Sequence, residues 1–400
     1  MSKIFMAWEL GANFGHLAKL LPIAEQLRQQ GHEIFFAVRD TEIAAGILSP
    51  KGFAFTQAPV WRGKACLTSP PINFAEILIA EGYTVRNGLA GMVLSWLGLF
   101  ECARPDVIVV DHAPTALLSA RIAGLPVVCV DNGFGVPPKV SPLPSIRPWE
   151  NIADQRLHHA ETTVLRSINV ISHMFGGRPY ERLIDVFAVE GLVFATFAPL
   201  DHYGPRPDVD YAGAIFSDVC EHSVQWRGGP RIKVFAYLRP NVPGIGNLLK
   251  ALSQIDGEVI CAIPGLRRIK PELAGPLRIY AHPLKLMALI PEADLVVSYS
   301  GTGTVCLSLL AGVPLLLASQ NVEQYLLGSR VDGLGAGLSM GMDRSEESFR
   351  QSLGQLLGDD RFRLAAEQFA NQHKGFHPEY AVGLTAQMIE KVLRIPKFHG

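Results

Sequence analysis

An imidazole at the end of a glycine-flanked turn, opening an amphipathic helix, is placed to take a proton from a bound molecule. This chain has one early, in Glu9-Leu10-Gly11-Ala12-Asn13-Phe14-Gly15-His16. Gly11 and Gly15 let the backbone turn sharply, and His16 begins a helical period through Leu17, Leu20, Leu21, Ala24 and Leu27. A histidine at a helix N-terminus suits a general base near neutral pH; the same position also suits a histidine that caps the helix or is satisfied by the loop. Asp111 ends the apolar run Val107-Ile108-Val109-Val110. A carboxylate there can orient and stabilise a protonated His16 as the second half of a dyad. It can also cap the helix that Pro114 would open, and neighbouring His112 is a rival titrating group.

A second constellation lies in the other half. Ser298-Tyr299-Ser300-Gly301-Thr302-Gly303-Thr304 follows an apolar strand and precedes an apolar helix. Glycines permit close approach, while backbone N–H groups and outward hydroxyls at a helix N-terminus favour an anion such as a diphosphate. No Gly-Lys-Ser/Thr follows, so this is not a P-loop. Glu323-Gln324 stands just past another strand and can read sugar hydroxyls, or simply start a helix. Asp208-Val209-Asp210 has the D-x-D form of a metal site but lies in a Pro-rich approach to a linker, so no metal is expected. His158, His159 and His173 fall in helical patterns, as solvated or packed residues. Six scattered cysteines form no C-x-x-C and no metal-type spacing; they read as core thiols of a reducing, cytoplasmic compartment.

The elements that must carry these residues alternate. Strands are expected at Ile4–Trp8, Glu33–Val38, Phe53–Thr56, Val107–Val110 and Val127–Val130, with helices at His16–Gln30, Thr41–Leu48 and Pro114–Ala123. The pattern then repeats, with strands at Lys233–Leu238, Glu258–Ala262, Leu277–Tyr280, Asp294–Ser298 and Leu315–Leu317. Helices are expected at Asn247–Gln254, Lys285–Ile290 and Thr304–Ala311. Such alternation predicts parallel sheets with right-handed crossovers. With 400 residues, the reading is an α/β chain of two doubly wound, Rossmann-like domains facing across a cleft: residues 1–216, a linker at 217–230, and 231–400, the last helix packing back on the first domain. Apolar residues at 48% exclude disorder, and a formal charge of −1 spread evenly over both halves argues against nucleic-acid binding. The uncharged stretch Val296–Ser319 is broken by hydroxyls, glycines and Pro314, which reads as buried strand–loop–helix–strand rather than a membrane span.

In this order the motifs resemble the bacterial branch of the family 1, GT-B glycosyltransferases. Gly15-His16, Leu20-Leu21-Pro22 and Gly31-His32-Glu33-Ile34 resemble the family's N-terminal pattern. Ala293–Val297, Gly301-Thr302-Gly303-Thr304, Ala311-Gly312-Val313-Pro314, Glu323-Gln324 and Arg330-Val331…Gly335-Ala336-Gly337 are similar to its donor-binding motif. The resemblance implies inverting transfer of a sugar from a UDP- or dTDP-sugar to an acceptor hydroxyl, with no cofactor and no essential metal. It implies His16 as base, Asp111 as its partner, Ser300–Thr304 around the diphosphate, and Glu323 and Gln324 on the donor sugar. Two positions depart from the family: Tyr299 replaces a phosphate-binding histidine or arginine, and Leu307 replaces a ribose-binding glutamate. Arg239, after the first strand of the second domain, is expected to supply the missing cation.

Acceptor pockets of this family form from variable loops of the first domain, here about Pro59–Phe100 and Phe134–Phe187. Together with Asn13 and Phe14 they offer Trp61, Phe74, Trp96, Phe100, Phe134, Trp149 and Phe175, enough apolar surface for a small lipophilic acceptor. Two other readings share the architecture: a nucleotide-sugar 2-epimerase or hydrolase, and a non-catalytic auxiliary protein. Tyr299 and Leu307 motivate the auxiliary reading, and retention of both His16 and Asp111 argues against it.

Overall fold

The computed structural model describes residues 1–11, 14–64, 67–217, 222–229, 231–268 and 277–395. Two compact units divide the chain. The first comprises Met1–Thr196, Pro205–Ser217 and Pro378–Gly400, and the second comprises Phe197–Gly204 and Asp218–His377. Relative to a single break at 217–230, Phe197–Gly204 therefore goes with the second unit and the C-terminal helix Pro378–Leu393 with the first.

Among the described residues the first unit holds seven strands: β1 (Lys3–Trp8), β2 (Glu33–Val38), β3 (Ala54–Gln57), β4 (Val107–Asp111), β5 (Val127–Asp131), β6 (Gly191–Phe194) and β7 (Asp210–Tyr211). They pair in the order β3-β2-β1-β4-β5-β6-β7, all parallel. Both β4 and β5 are buried at every position. That is why they read as unbroken Val/Ile runs rather than alternating ones: helices cover both faces of a parallel sheet.

The second unit has β8 (Ile232–Tyr237), β9 (Gly257–Ala262), β10 (Leu277–Tyr280), β11 (Leu295–Ser298), β12 (Leu315–Leu317) and β13 (Gly337–Ser339), in the parallel order β10-β9-β8-β11-β12-β13. In each unit the strand order reverses once, between β1 and β4 and between β8 and β11. Crossovers leave the sheet in opposite directions at such a switch point, and the carboxyl ends of its two strands are left uncovered for a ligand.

Strands β6, β7 and β13 carry no clear sequence signal. Two are only two and three residues long, and β6 begins at Gly191, where a Cβ would meet Met388 Cγ at 2.9 Å. That glycine lets the helix Pro378–Leu393 close on the first sheet.

Two helices are completed by partners from elsewhere in the chain. Pro22 lies in the middle of the helix Gly15–Gln29. Lacking an N–H, it frees the carbonyl of Ala18, which instead accepts a hydrogen bond from Ser217 Oγ at 3.0 Å. The helix Pro114–Ile122 is capped neither by Asp111 nor by its own N-cap residue, Ala113. Its first N–H groups, of Thr115 and Ala116, donate to Glu9 Oε2 at 2.8 and 3.2 Å.

Burial pushes the Glu9 carboxyl up to about 7, against the lowering effect of those hydrogen bonds. The folded state thus holds this proton more tightly than the unfolded chain, whose glutamate titrates near ~4.3. The resulting stability is complete below that value and is lost as pH rises toward 7, a change on the order of 3 kcal/mol. Glu9→Gln removes the titration, so its urea midpoint should fall less than the wild type's between pH 5 and pH 8. Parallel curves for the two proteins would show that Glu9 is ionised throughout.

Candidate functional site

Parallel pairing of β1 with β4 sets Trp8 in register with Asp111, and the helix that follows β1 brings His16 over both. His16 Nδ1 lies 3.0 Å from Asp111 Oδ2, and its ring stacks on the Trp8 indole at 5.1 Å between centroids. Asp111 is 1% exposed and His16 17%. An ionised carboxylate only accepts, so Nδ1 carries the hydrogen and Nε2 is left with its lone pair. Nε2 faces Gly11, whose φ is +79°, and a Cβ there would come within 2.4 Å of it. Glycine is required at position 11 both by the backbone and by the imidazole.

Lys19, one turn beyond His16 on the same helix, had no part in the sequence-derived site. Its Nζ donates to Asp111 Oδ1 at 2.7 Å, and its side chain is only 10% exposed. Burial alone would raise the Asp111 carboxyl, but Lys19 and then His16 outweigh it and hold the group at about 2. The signal was present as an i, i+3 spacing, but nothing local to the helix says that a buried carboxylate waits opposite. His112, the rival, has a left-handed backbone with φ +47°. Its ring sits 6.2 Å from that of His16, while the two oxygens of Asp111 are engaged by His16 and Lys19.

An aromatic wall continues from His112. Phe134, buried, meets the His112 ring edge-on at 6.0 Å and Phe74 at 6.3 Å, and Phe74 meets Phe187 at 5.6 Å. Phe14 is half-buried at the N-cap of the His16 helix. Trp61 is not brought to this group: its ring packs against Gly63, Gly82 and Gly88, where any Cβ would lie 2.0–2.5 Å from it. Asn13 lies outside the described residues.

In the second unit the switch point places Arg239 and the 299–304 loop side by side, because Ser298 pairs in register with Tyr237. The helix Thr302–Leu310 starts behind Gly301, which has no side chain to cap it, so its first-turn N–H groups depend on other acceptors. A Cβ on Gly303 would meet nothing within 4 Å.

One expectation is corrected here. The Ser300 hydroxyl does not face outward: the residue is buried, with φ +67°, and its Oγ lies 2.7 Å from Ser319 Oγ. Thr304 is buried as well. Of the loop's serine and threonine residues, Thr302 alone is half-buried rather than buried. The positive charge that Tyr299 lacks stands on it: the Arg239 guanidinium lies 5.2 Å over the Tyr299 ring and Nη2 donates to its hydroxyl at 3.5 Å. Arg239 Nε is buried without a partner.

A second cation, Arg344, was missed because it follows the unrecognised β13. Its Nη2 donates to the carbonyls of Ser319 and Met340 at 3.2 and 3.1 Å, and burial lowers its pKa. Gln324 is partly committed to its helix start, its Oε1 accepting from Gln320 N at 2.8 Å. Glu323 is half-buried in the first turn of the helix Val322–Gly333. In the D-x-D segment, Asp208 pairs with Lys139 at 3.0 Å and Asp210 begins β7. Among the described residues no three His, Cys, Asp or Glu side chains cluster as metal ligands, and no helix is long and apolar enough to cross a membrane.

Over 90% of its length and 93% of the relative's, the chain is 33% identical to 4'-demethylrebeccamycin synthase of Lentzea aerocolonigenes. Residues 246–379 match the family described as erythromycin biosynthesis protein CIII-like, C-terminal domain. The chain belongs to the GT-B glycosyltransferases. It is also 26% identical to a PGL/p-HBAD biosynthesis glycosyltransferase of Mycobacterium tuberculosis, over 73% of this chain and 71% of that one. The fold matches the crystal structure of the glycosyltransferase VinC in complex with dTDP, with TM-score 0.69, 16% identity, and coverage of 97% of this chain and 100% of that one.

The open space around Gly303 makes it the place to probe the loop. In this glycosyltransferase Gly303→Trp should leave circular dichroism unchanged and abolish binding of both dTDP and UDP in calorimetry. Undiminished affinity would place the diphosphate elsewhere.

Proposed function

We propose that the protein is an inverting glycosyltransferase that moves a sugar from a pyrimidine nucleoside diphosphate to a hydroxyl of a small, largely apolar acceptor. The observation that carries this reading is the His16–Asp111 pair, with Nδ1 held by a buried carboxylate and Nε2 left as an acceptor beside Gly11. An acceptor hydroxyl is too weak an acid to attack unaided near neutral pH. His16 Nε2 takes its proton as the new bond to the anomeric carbon forms, and Asp111 stabilises the resulting imidazolium. Attack on the face opposite the leaving diphosphate inverts that carbon.

The diphosphate sits at the first turn of Thr302–Leu310, where Gly301, Thr302, Gly303 and Thr304 provide backbone donors and the helix dipole offsets the charge developing on the leaving group. Arg239 and Arg344 supply positive charge at the same sheet edge, Tyr299 orienting the first of them. This supports transfer without a metal or any other cofactor. Glu323 and the amide NH2 of Gln324 read the donor sugar. Of the two donors, dTDP-sugars have the support of the VinC complex. Half-buried Phe14 offers apolar surface for the acceptor beside His16, and the buried rings of Phe74 and Phe134 back His112 from within the core. The enzyme works in the cytoplasm, where its buried thiols Cys129, Cys261 and Cys306 stay reduced.

His16→Ala should lower transfer by roughly 10²–10⁴-fold while leaving dTDP affinity unchanged, and wild-type activity should decline at acid pH as the imidazole protonates. Turnover should persist in EDTA. Near-full turnover of His16→Ala, with loss in His112→Ala, would make His112 the base; turnover restored only by Mg²⁺ or Mn²⁺ would make the reaction metal-dependent.

A further inference from the structure

Asp111 is shared. It offers one oxygen to His16 Nδ1 at 3.0 Å and the other to Lys19 Nζ at 2.7 Å, both partners projecting from one helix three residues apart. With 1% of the carboxylate and 10% of the Lys19 side chain exposed, the lysine is committed to this contact: a long cationic side chain is rarely buried except against a counter-charge. We infer that Lys19 is a positioning residue of the dyad. By occupying Oδ1 it leaves Oδ2 alone for His16, and its charge tunes how readily the imidazole takes a proton.

The inference rests on His16 acting as the base. A dyad of neutral histidine and ionised aspartate passes from −1 to 0 when the imidazole is protonated. With Lys19 included, the buried cluster passes from 0 to +1. The second change is less favourable in a poorly solvated site, so Lys19 keeps the base unprotonated, and competent, at lower pH than a bare dyad would allow. It also prevents the carboxylate from turning both oxygens toward the ring, which fixes the hydrogen on Nδ1 and the lone pair on Nε2.

The other ionisable groups packed around the cluster include Glu9, whose burial raises it to about 7 so that it titrates in the same range, and His112, whose ring lies 6.2 Å from that of His16. From the end of β1, Glu9 accepts from Thr115 and Ala116. From beyond β2, Arg39 donates to the Glu9 carbonyl. After β4, His112 lies in the aromatic wall. From β5 come Cys129, whose thiol burial pushes up, and Asp131, whose Oδ1 accepts from Gly133 and Gly135.

The test follows His16 itself, by NMR titration of its labelled imidazole in the full-length protein, together with kcat/KM against pH. Lys19→Met removes the charge and keeps the stem. Lys19→Gln also keeps a donor for Asp111, in case the methionine variant fails to fold. Both should move the His16 midpoint and the acid limb of the rate profile upward by about 0.5–1 unit. Transfer on the acid limb, well below the midpoint, should fall ~3–10-fold at unchanged dTDP affinity, and Lys19→Arg should restore the wild-type profile. A folded Gln or Met variant whose imidazole titrates like the wild type would overturn the proposal and leave Lys19 a packing residue. Because the titration needs no turnover, that result is distinct from His16→Ala retaining activity, which would overturn the assignment of the base.

Discussion

A charged carboxylate at the end of a fully covered parallel strand is tolerable only if each oxygen finds a partner and the charge is matched. Asp111 meets both conditions from one helix, through His16 and Lys19. Much else in the first unit follows from satisfying it. The helix Gly15–Gln29 must enter at a fixed angle, so Gly11 turns with φ +79° and yields its side-chain volume to the imidazole. Trp8, paired with Asp111 across β1 and β4, supplies a flat face on which the ring rests. Because Asp111 is spent on these contacts, the next helix needs another acceptor at its N-terminus, and Glu9 fills that place.

The second unit repeats the topology and puts different chemistry on it. Each sheet reverses its strand order once, and in each the loop after the fourth strand in chain order holds a non-glycine residue in the left-handed region: His112 at φ +47° and Ser300 at φ +67°. Such backbone costs about 1–3 kcal/mol and persists where surrounding contacts over-determine it. For Ser300 those contacts are the hydroxyls of Ser298 and Ser319. They turn the serine inward and present the glycine-flanked start of the next helix outward. The Ser300 hydroxyl, which looked like a ligand contact in the sequence, is thus a fastener of the loop.

The same division of labour explains the tyrosine at position 299. Its ring packs on Gly301 and Tyr237 and forms a platform for the Arg239 guanidinium. A cation held over an aromatic face keeps its charge near the loop without a carboxylate to neutralise it. Two residues that look unrelated in the chain, 60 positions apart, thus hold one cation beside the loop.

The sequence by itself determined the alternation of strands and helices, because unbroken Val/Ile runs and 3.6-residue periods are local properties of the chain. It also marked the glycine-bearing loops at 11–15 and at 301–303, with Asp111 and Arg239 at strand ends and His16 at a helix start. The tertiary structure alone decided the partners. Lys19 finds Asp111 across 92 residues, Glu9 caps a helix 106 residues away, and Ser217 answers the carbonyl freed by Pro22 from 199 residues away. Periodicity reports which face of an element is apolar, but not which polar group from another element will be buried against it. That choice is made only when the sheet sets the register of its strands and the covering helices settle on both faces, leaving each buried donor and acceptor to be satisfied by whatever stands opposite.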